Sequence, residues 1–102
     1  MQEPPQKKVQ SVINLFTQGL FQNALKEIEQ IQSNFPNSVL LYNICGAIYT
    51  ELGQFDLAVE NYKKALVIKP DYADAFCNIG IAEQKKGDLD SAITSYKKTI
   101  EI

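Results

Sequence analysis

The stretch Gly53–Pro70, GQFDLAVENYKKALVIKP, decides the fold. It opens on a glycine and closes on a proline. Between them Leu57, Ala58, Val59, Tyr62, Ala65 and Leu66 recur at the spacing of one helical face. Its landmarks return 34 residues away in both directions. Gly53 stands between Gly19 and Gly87, Phe55 between Phe21 and Leu89, and Ala58 between Ala24 and Ala92. Tyr62 answers Ile28 and Tyr96, and Pro70 answers Pro36. Self-similarity at one fixed period marks stacked supersecondary units, each too thin to bury a core alone.

Outward from this stretch, the same period appears on every side. Val9, Val12, Ile13 and Phe16 form one face of a helix over Lys7–Gln18, and Gly19 ends it by accepting the left-handed conformation just past a helix. Ala24, Leu25, Ile28 and Ile31 carry the next helix from Phe21, closed by Pro36. Asn37 and Ser38 offer caps for a helix over Val39–Glu51, Asp56 for the fourth, and Asp71 for a fifth over Ala73–Lys86. Asp88 or Asp90 caps the sixth, whose buried face is expected to include Ala92, Ile93, Tyr96 and Ile100. No segment alternates as a strand does. The expectation is an all-α chain of three helix–turn–helix units, about 5–38, 39–72 and 73–102, after a frayed lead-in over 1–5. Gly46 and Gly80 sit inside helices at a cost of about 1 kcal/mol each relative to alanine. With Ala24, Ala58 and Ala92 they are expected to let paired backbones approach closely.

Composition removes several function classes. The chain has 102 residues, 45% of them hydrophobic, with a formal charge of −2 and no histidine. Without histidine the common zinc sites and histidine-based triads are excluded, so no metal, no cofactor and no catalytic set is expected. Nothing resembles the basic footprint of a nucleic-acid binder, and no apolar run approaches a membrane span. MQEPPQKKVQ lacks the apolar segment of a signal peptide, which points to a cytoplasmic protein. Cys45 and Cys77, inside helical patterns, are expected to be reduced packing residues.

At these columns the chain resembles the tetratricopeptide repeat, a 34-residue helix–turn–helix unit. Val39–Ile68 and Ala73–Ile102 share 8 identities in 30, among them Gly46/Gly80, Gly53/Gly87, Ala58/Ala92 and Tyr62/Tyr96. The first unit departs from the pattern, with Lys8 at the aromatic column and Val12 at the glycine column. The resemblance implies an α-solenoid, a right-handed superhelix whose first helices line a concave groove for a protein or peptide. Its groove columns fall on Gln6, Val9, Ile13, Phe16 and Thr17; on Leu40, Asn43, Ala47, Thr50 and Glu51; and on Asp74, Cys77, Ile81, Gln84 and Lys85. Co-chaperone members clamp a terminal carboxylate with Lys, Asn and Arg. The corresponding residues Val9, Ile13, Ile44, Asp74 and Asn78 do not supply that clamp. Arrays attached to glycosyltransferases carry an asparagine ladder that holds peptide backbone. Asn78 matches one rung, whereas Gln10 and Ile44 fill its column in the other units. Asn78 is either such a peptide-binding amide or a solvated polar residue.

Other clusters have plainer readings. Lys63-Lys64, Lys85-Lys86 and Lys97-Lys98 lie near helix ends, where cations suit the dipole on a solvated face. Glu27 and Glu29 are two apart and point away from each other on a helix, so they make no acid/base pair. Tyr49, Tyr62 and Tyr96 are spaced as core residues. The final amphipathic helix would leave Ile93 and Ile100 on an uncapped flank, consistent with a longer protein or with self-association. Two functions follow: a non-catalytic interaction module, or the recognition arm of a larger glycosyl- or sulfo-transferase.

Overall fold

A computed structural model of the chain describes residues 3–102. Six helices follow one another: α1 (Gln6–Thr17), α2 (Phe21–Gln32), α3 (Val39–Glu51), α4 (Phe55–Ile68), α5 (Ala73–Lys86) and α6 (Leu89–Glu101). No strand occurs among the described residues. The molecule is a slab of 37 × 28 × 17 Å.

Each pair turns in the same way. Gly19, Gly53 and Gly87 have φ of +77°, +75° and +98°, and no non-glycine residue among those described has positive φ. Past each glycine the next N–H bonds back to the helix, Leu20 to Leu15, Gln54 to Tyr49 and Asp88 to Glu83, all at 2.9 Å. This is the six-residue C-terminal motif that a left-handed glycine permits. A Cβ at any of the three would meet nothing within 4 Å, so backbone conformation selects glycine there.

The interior glycines have another cause. A Cβ on Gly46 would lie 2.4 Å from the Tyr62 ring, and one on Gly80 would lie 2.7 Å from the Tyr96 ring. The glycines seat tyrosine rings of the partner helix, which corrects the expected close approach of two bare backbones. Ala58 and Ala92, one turn earlier on those helices, are 0% and 2% exposed.

The first helices α1, α3 and α5 touch in sequence, whereas α2, α4 and α6 make no contact with one another. Crowded first helices and separated second helices define a curved stack, with α1, α3 and α5 on its inner side. Two clusters fill it. One joins the first three helices through residues such as Val12, Ile28, Leu41 and Ile48; the other joins α4 to α5 through Ala58, Tyr62, Ile79 and Ala82.

Several local expectations change. The expected frayed lead-in is seated from Glu3 onward, while its residues 1 and 2 lie outside the described residues. Pro4 is buried, and the Glu3 carboxylate accepts hydrogen bonds from the Ser38 hydroxyl and from Val39 N at 2.9 Å. Ser38, fully buried, caps α3 by accepting from Leu41 N at 3.1 Å. Asp88 caps α6, but Gln54 and Tyr72 hold the N-cap positions of α4 and α5 without side-chain bonds, so Asp56 and Asp71 do not cap. On α6 the inward side is Ala92, Ser95 and part of Tyr96. Ile93 and Ile100 are 53% and 84% exposed and do not belong to the buried face.

Candidate peptide-binding face

The inner side of the stack collects the groove columns from three helices, and their surroundings differ. Val9 is 6% exposed and sits in the core cluster, so it is withdrawn from the ligand surface. Its neighbour Ile13 is half-buried, as are Phe16, Ala47 and Cys77. Ile81 and Asp74 are exposed. The Phe16 ring leans on Phe21 at 5.7 Å between centroids, which fixes it at the α1–α2 turn. These apolar side chains form a broken strip along the stack.

The amides meet in the middle of that strip. Asn78 Nδ2 on α5 donates to Asn43 Oδ1 on α3 at 3.0 Å. At the 34-residue period Asn43 aligns with Cys77 and Asn78 with Ile44, so the columns do not pair the two amides. Columns on a flat alignment hide it, because stacking offsets neighbouring helices and lets residues 35 apart meet. After the pair forms, the second Asn78 N–H, its oxygen and the Asn43 NH2 group remain available.

Two further columns serve the repeats themselves. The Thr50 hydroxyl donates to Gly46 O at 2.8 Å. Gln84 Oε1 accepts from the Tyr96 hydroxyl at 2.9 Å. Burial pushes the Tyr62 hydroxyl up from its ordinary pKa. Gln84 therefore fixes the Tyr96 ring as well as edging the face, while the Thr50 hydroxyl is spent on its own helix.

Charge is sparse. Glu51 and Asp74 are the acids among the columns and Lys85 the base, all exposed. Both cysteines are free, and burial pushes the Cys45 thiol up to about 11, against the attraction of Lys64. A thiol held protonated this way is a packing group rather than a nucleophile. Among the described residues no cluster of three or more His, Cys, Asp or Glu could hold a metal, and no helix is long and apolar enough to cross a membrane.

Hollows also lie on the other surfaces of the stack. One of about 570 Å³ sits between α1 and α2, lined by Lys8, Leu15 and Lys26 among others.

Comparison with known proteins agrees with this architecture. The family profile for the TPR repeat matches residues 46–87, and that for the tetratricopeptide repeat matches 73–102. Together they span more than half of the chain. The probable UDP-N-acetylglucosamine–peptide N-acetylglucosaminyltransferase SEC of Arabidopsis thaliana is 36% identical over 82 residues, 80% of this chain and 8% of that protein. The crystal structure of MamA is 29% identical, with a TM-score of 0.82 over 88% of this chain and 53% of that one. The second TPR of Spaghetti, solved bound to an HSP90 peptide, has a TM-score of 0.83 over 92% of this chain and 87% of that one. At 17% identity the last is a likeness of fold. The chain belongs to the tetratricopeptide-repeat family and spans only part of the relatives it matches, 8% of the plant transferase and about half of MamA.

Proposed function

We propose that the inner face binds an extended, largely uncharged protein segment without catalysing any reaction on it. The observation that carries this reading is the Asn43–Asn78 pair set within the apolar strip of Ile13, Phe16, Ala47, Cys77 and Ile81. An amide pair already fixed by its own hydrogen bond can meet peptide N–H and C=O groups with little further ordering. The apolar strip beside it takes side chains. The columns that would clamp an acidic tail hold Val9, Ile13, Ile44, Asp74 and Asn78, and Asp74 would repel such a tail. The peptide-bound Spaghetti repeat supports the general mode, not the identity of the ligand. We place the chain in the cytoplasm, where its free cysteines stay reduced.

The test selects binders from a displayed library of random peptides, then measures them against Phe16→Ala, Asn78→Ala and Ala47→Glu. Weaker binding in these variants, with none in Glu29→Ala on α2, is the expected result. Binding unchanged in all three would sink the assignment of this face.

A second reading is favoured by the plant transferase match: the array is a recognition arm whose enzyme chemistry lies elsewhere in a larger protein. It keeps the same face and ligand class. Sequencing the complete reading frame tests it, and a frame without a transferase domain removes it.

A further inference from the structure

The second helices α4 and α6 do not touch, and α5 floors the gap between them. A pocket of about 330 Å³ lies in that gap. Its apolar part is Leu66 from α4 with Phe76 and Ile79 from α5. Ile79 is 4% exposed, so the floor belongs to the packed core. Lys63 stands on the α4 wall and Lys98 on the α6 wall, beside Ser91 and Thr94. None of these residues is an inner-face column. A further unit stacked on α6 as α5 stacks on α4 would meet Leu89, Ile93, Tyr96 and Ile100, none of which lines the pocket.

The 34-residue register supplies a comparison within the molecule. A lysine over an aromatic ring recurs: Lys64 Nζ lies 5.9 Å from the centre of the Tyr42 ring, and Lys98 Nζ 5.6 Å from that of Phe76. In the middle unit Glu60 answers Lys64 at 4.0 Å, whereas Thr94 fills that column beside Lys98. Lys63 stands where the first unit has Glu29. No salt bridge among the described residues engages Lys63 or Lys98. Glu83 is the acid of the pocket, and it accepts from the buried Ser95 hydroxyl at 2.8 Å. Two lysines against one glutamate leave this gap positive. The corresponding columns between α2 and α4 carry two glutamates, Glu29 and Glu60, against one lysine. The repeat makes the gap, and these few columns reverse its charge.

We infer that this pocket binds a small amphipathic monocarboxylate, an acid with a single apolar chain or ring. At a water's share of volume, about 30 Å³, the pocket has room for about ten non-hydrogen atoms. The apolar body lies on Leu66, Phe76 and Ile79, and the carboxylate is held by the Lys63 and Lys98 ammonium groups. An apolar floor with a few polar groups around it is the usual composition of a ligand pocket. Glu83 repels a second negative charge, so a phosphate dianion fits less well. This inference does not rest on the inner-face reading.

The test titrates octanoate into the isotopically labelled 102-residue chain and follows its backbone amide resonances. Saturable shifts centred on Phe76, Ile79, Ser91 and Ser95 are expected. Octylammonium has the same chain with the opposite charge, and acetate has the charge without the chain. Each should bind roughly fivefold or more weakly than octanoate. Lys63→Met and Lys98→Met keep an apolar stem and remove the charge, and each should weaken octanoate about fivefold. Lys97→Met, the same change on α6 outside the pocket, should leave binding unaltered. Circular dichroism checks that the variants stay folded, and Lys98→Gln carries the measurement if Lys98→Met does not. Absence of saturable shifts, equal binding of octylammonium, or indifference to both pocket lysines overturns the proposal. So does a blocked leucine–glutamate–leucine peptide that fills this pocket when octanoate does not, since a protein segment would then be its occupant.

Discussion

At the scale of single residues, the tyrosine seats explain a recurring cost. Glycine inside a helix loses about 1 kcal/mol against alanine, yet Gly46 and Gly80 both keep it. The reason is the ring that lies where a Cβ would stand. Gly46→Ala should therefore lose about 1–3 kcal/mol net of the helix-propensity gain, because Tyr62 is buried between its own unit and the next. Gly80→Ala should cost less, since Tyr96 is half-buried and its ring has room to shift outward. Urea denaturation of the two variants checks the order. Equal losses, or a gain at Gly46, would remove the ring as the cause. The Asn43–Asn78 pair is the other residue-scale finding: one hydrogen bond between side-chain amides ties α3 to α5 and occupies one of the two Asn78 N–H donors.

At the scale of elements, the helices differ in how their ends are satisfied. The first N–H groups of a helix have no partner within it. On α3 they receive two oxygens of different origin, Ser38 from the cap position and Glu3 from 36 residues upstream. The carboxylate also suits the positive end of the helix dipole. Glu3→Ala is expected to lose about 1 kcal/mol, and Ser38→Ala about 1–2 kcal/mol because its site is fully buried. Their effects should fall short of additive, as both act on one network. Chemical denaturation of the two single variants and the double variant measures this. Strict additivity would mean that Glu3 and Ser38 act on α3 independently. No such side-chain bond holds the N-caps of α2, α4 or α5, whose starts depend on the packing of the pair.

At the scale of the molecule, the stack is uneven. The cluster shared by α1, α2 and α3 contains nine buried residues and that between α4 and α5 contains four, while α6 rests mainly on α5. In a solenoid each unit is held by its neighbours, so local opening should follow this gradient. Hydrogen exchange is expected to be slowest in α3 and fastest in α6, with α4 and α5 between. Uniform protection across all six helices would show a stack that opens only as a whole.

Sequence alone determined the helices, their glycine turns and their stacking, because these depend on local conformation and on a period visible in one chain. Gly53 to Pro70 carried that information: glycine at positive φ, apolar residues at helical spacing, and proline where the helix must stop. The groove columns were legible as columns, but their availability was not. Val9 is buried, Asn78 is spent in part on Asn43, Thr50 bonds back to Gly46, and Gln84 steadies Tyr96. Glu3 falls in the expected frayed lead-in yet is seated, because its partners lie a full unit away. Ile93 and Ile100 fit a helical stripe as well as any core residue does, yet no helix among the described residues lies against them. Periodicity says which side chains share a face. Which face is covered, and which amide is already bonded, depends on contacts between units, and those were decided only when the helices stacked.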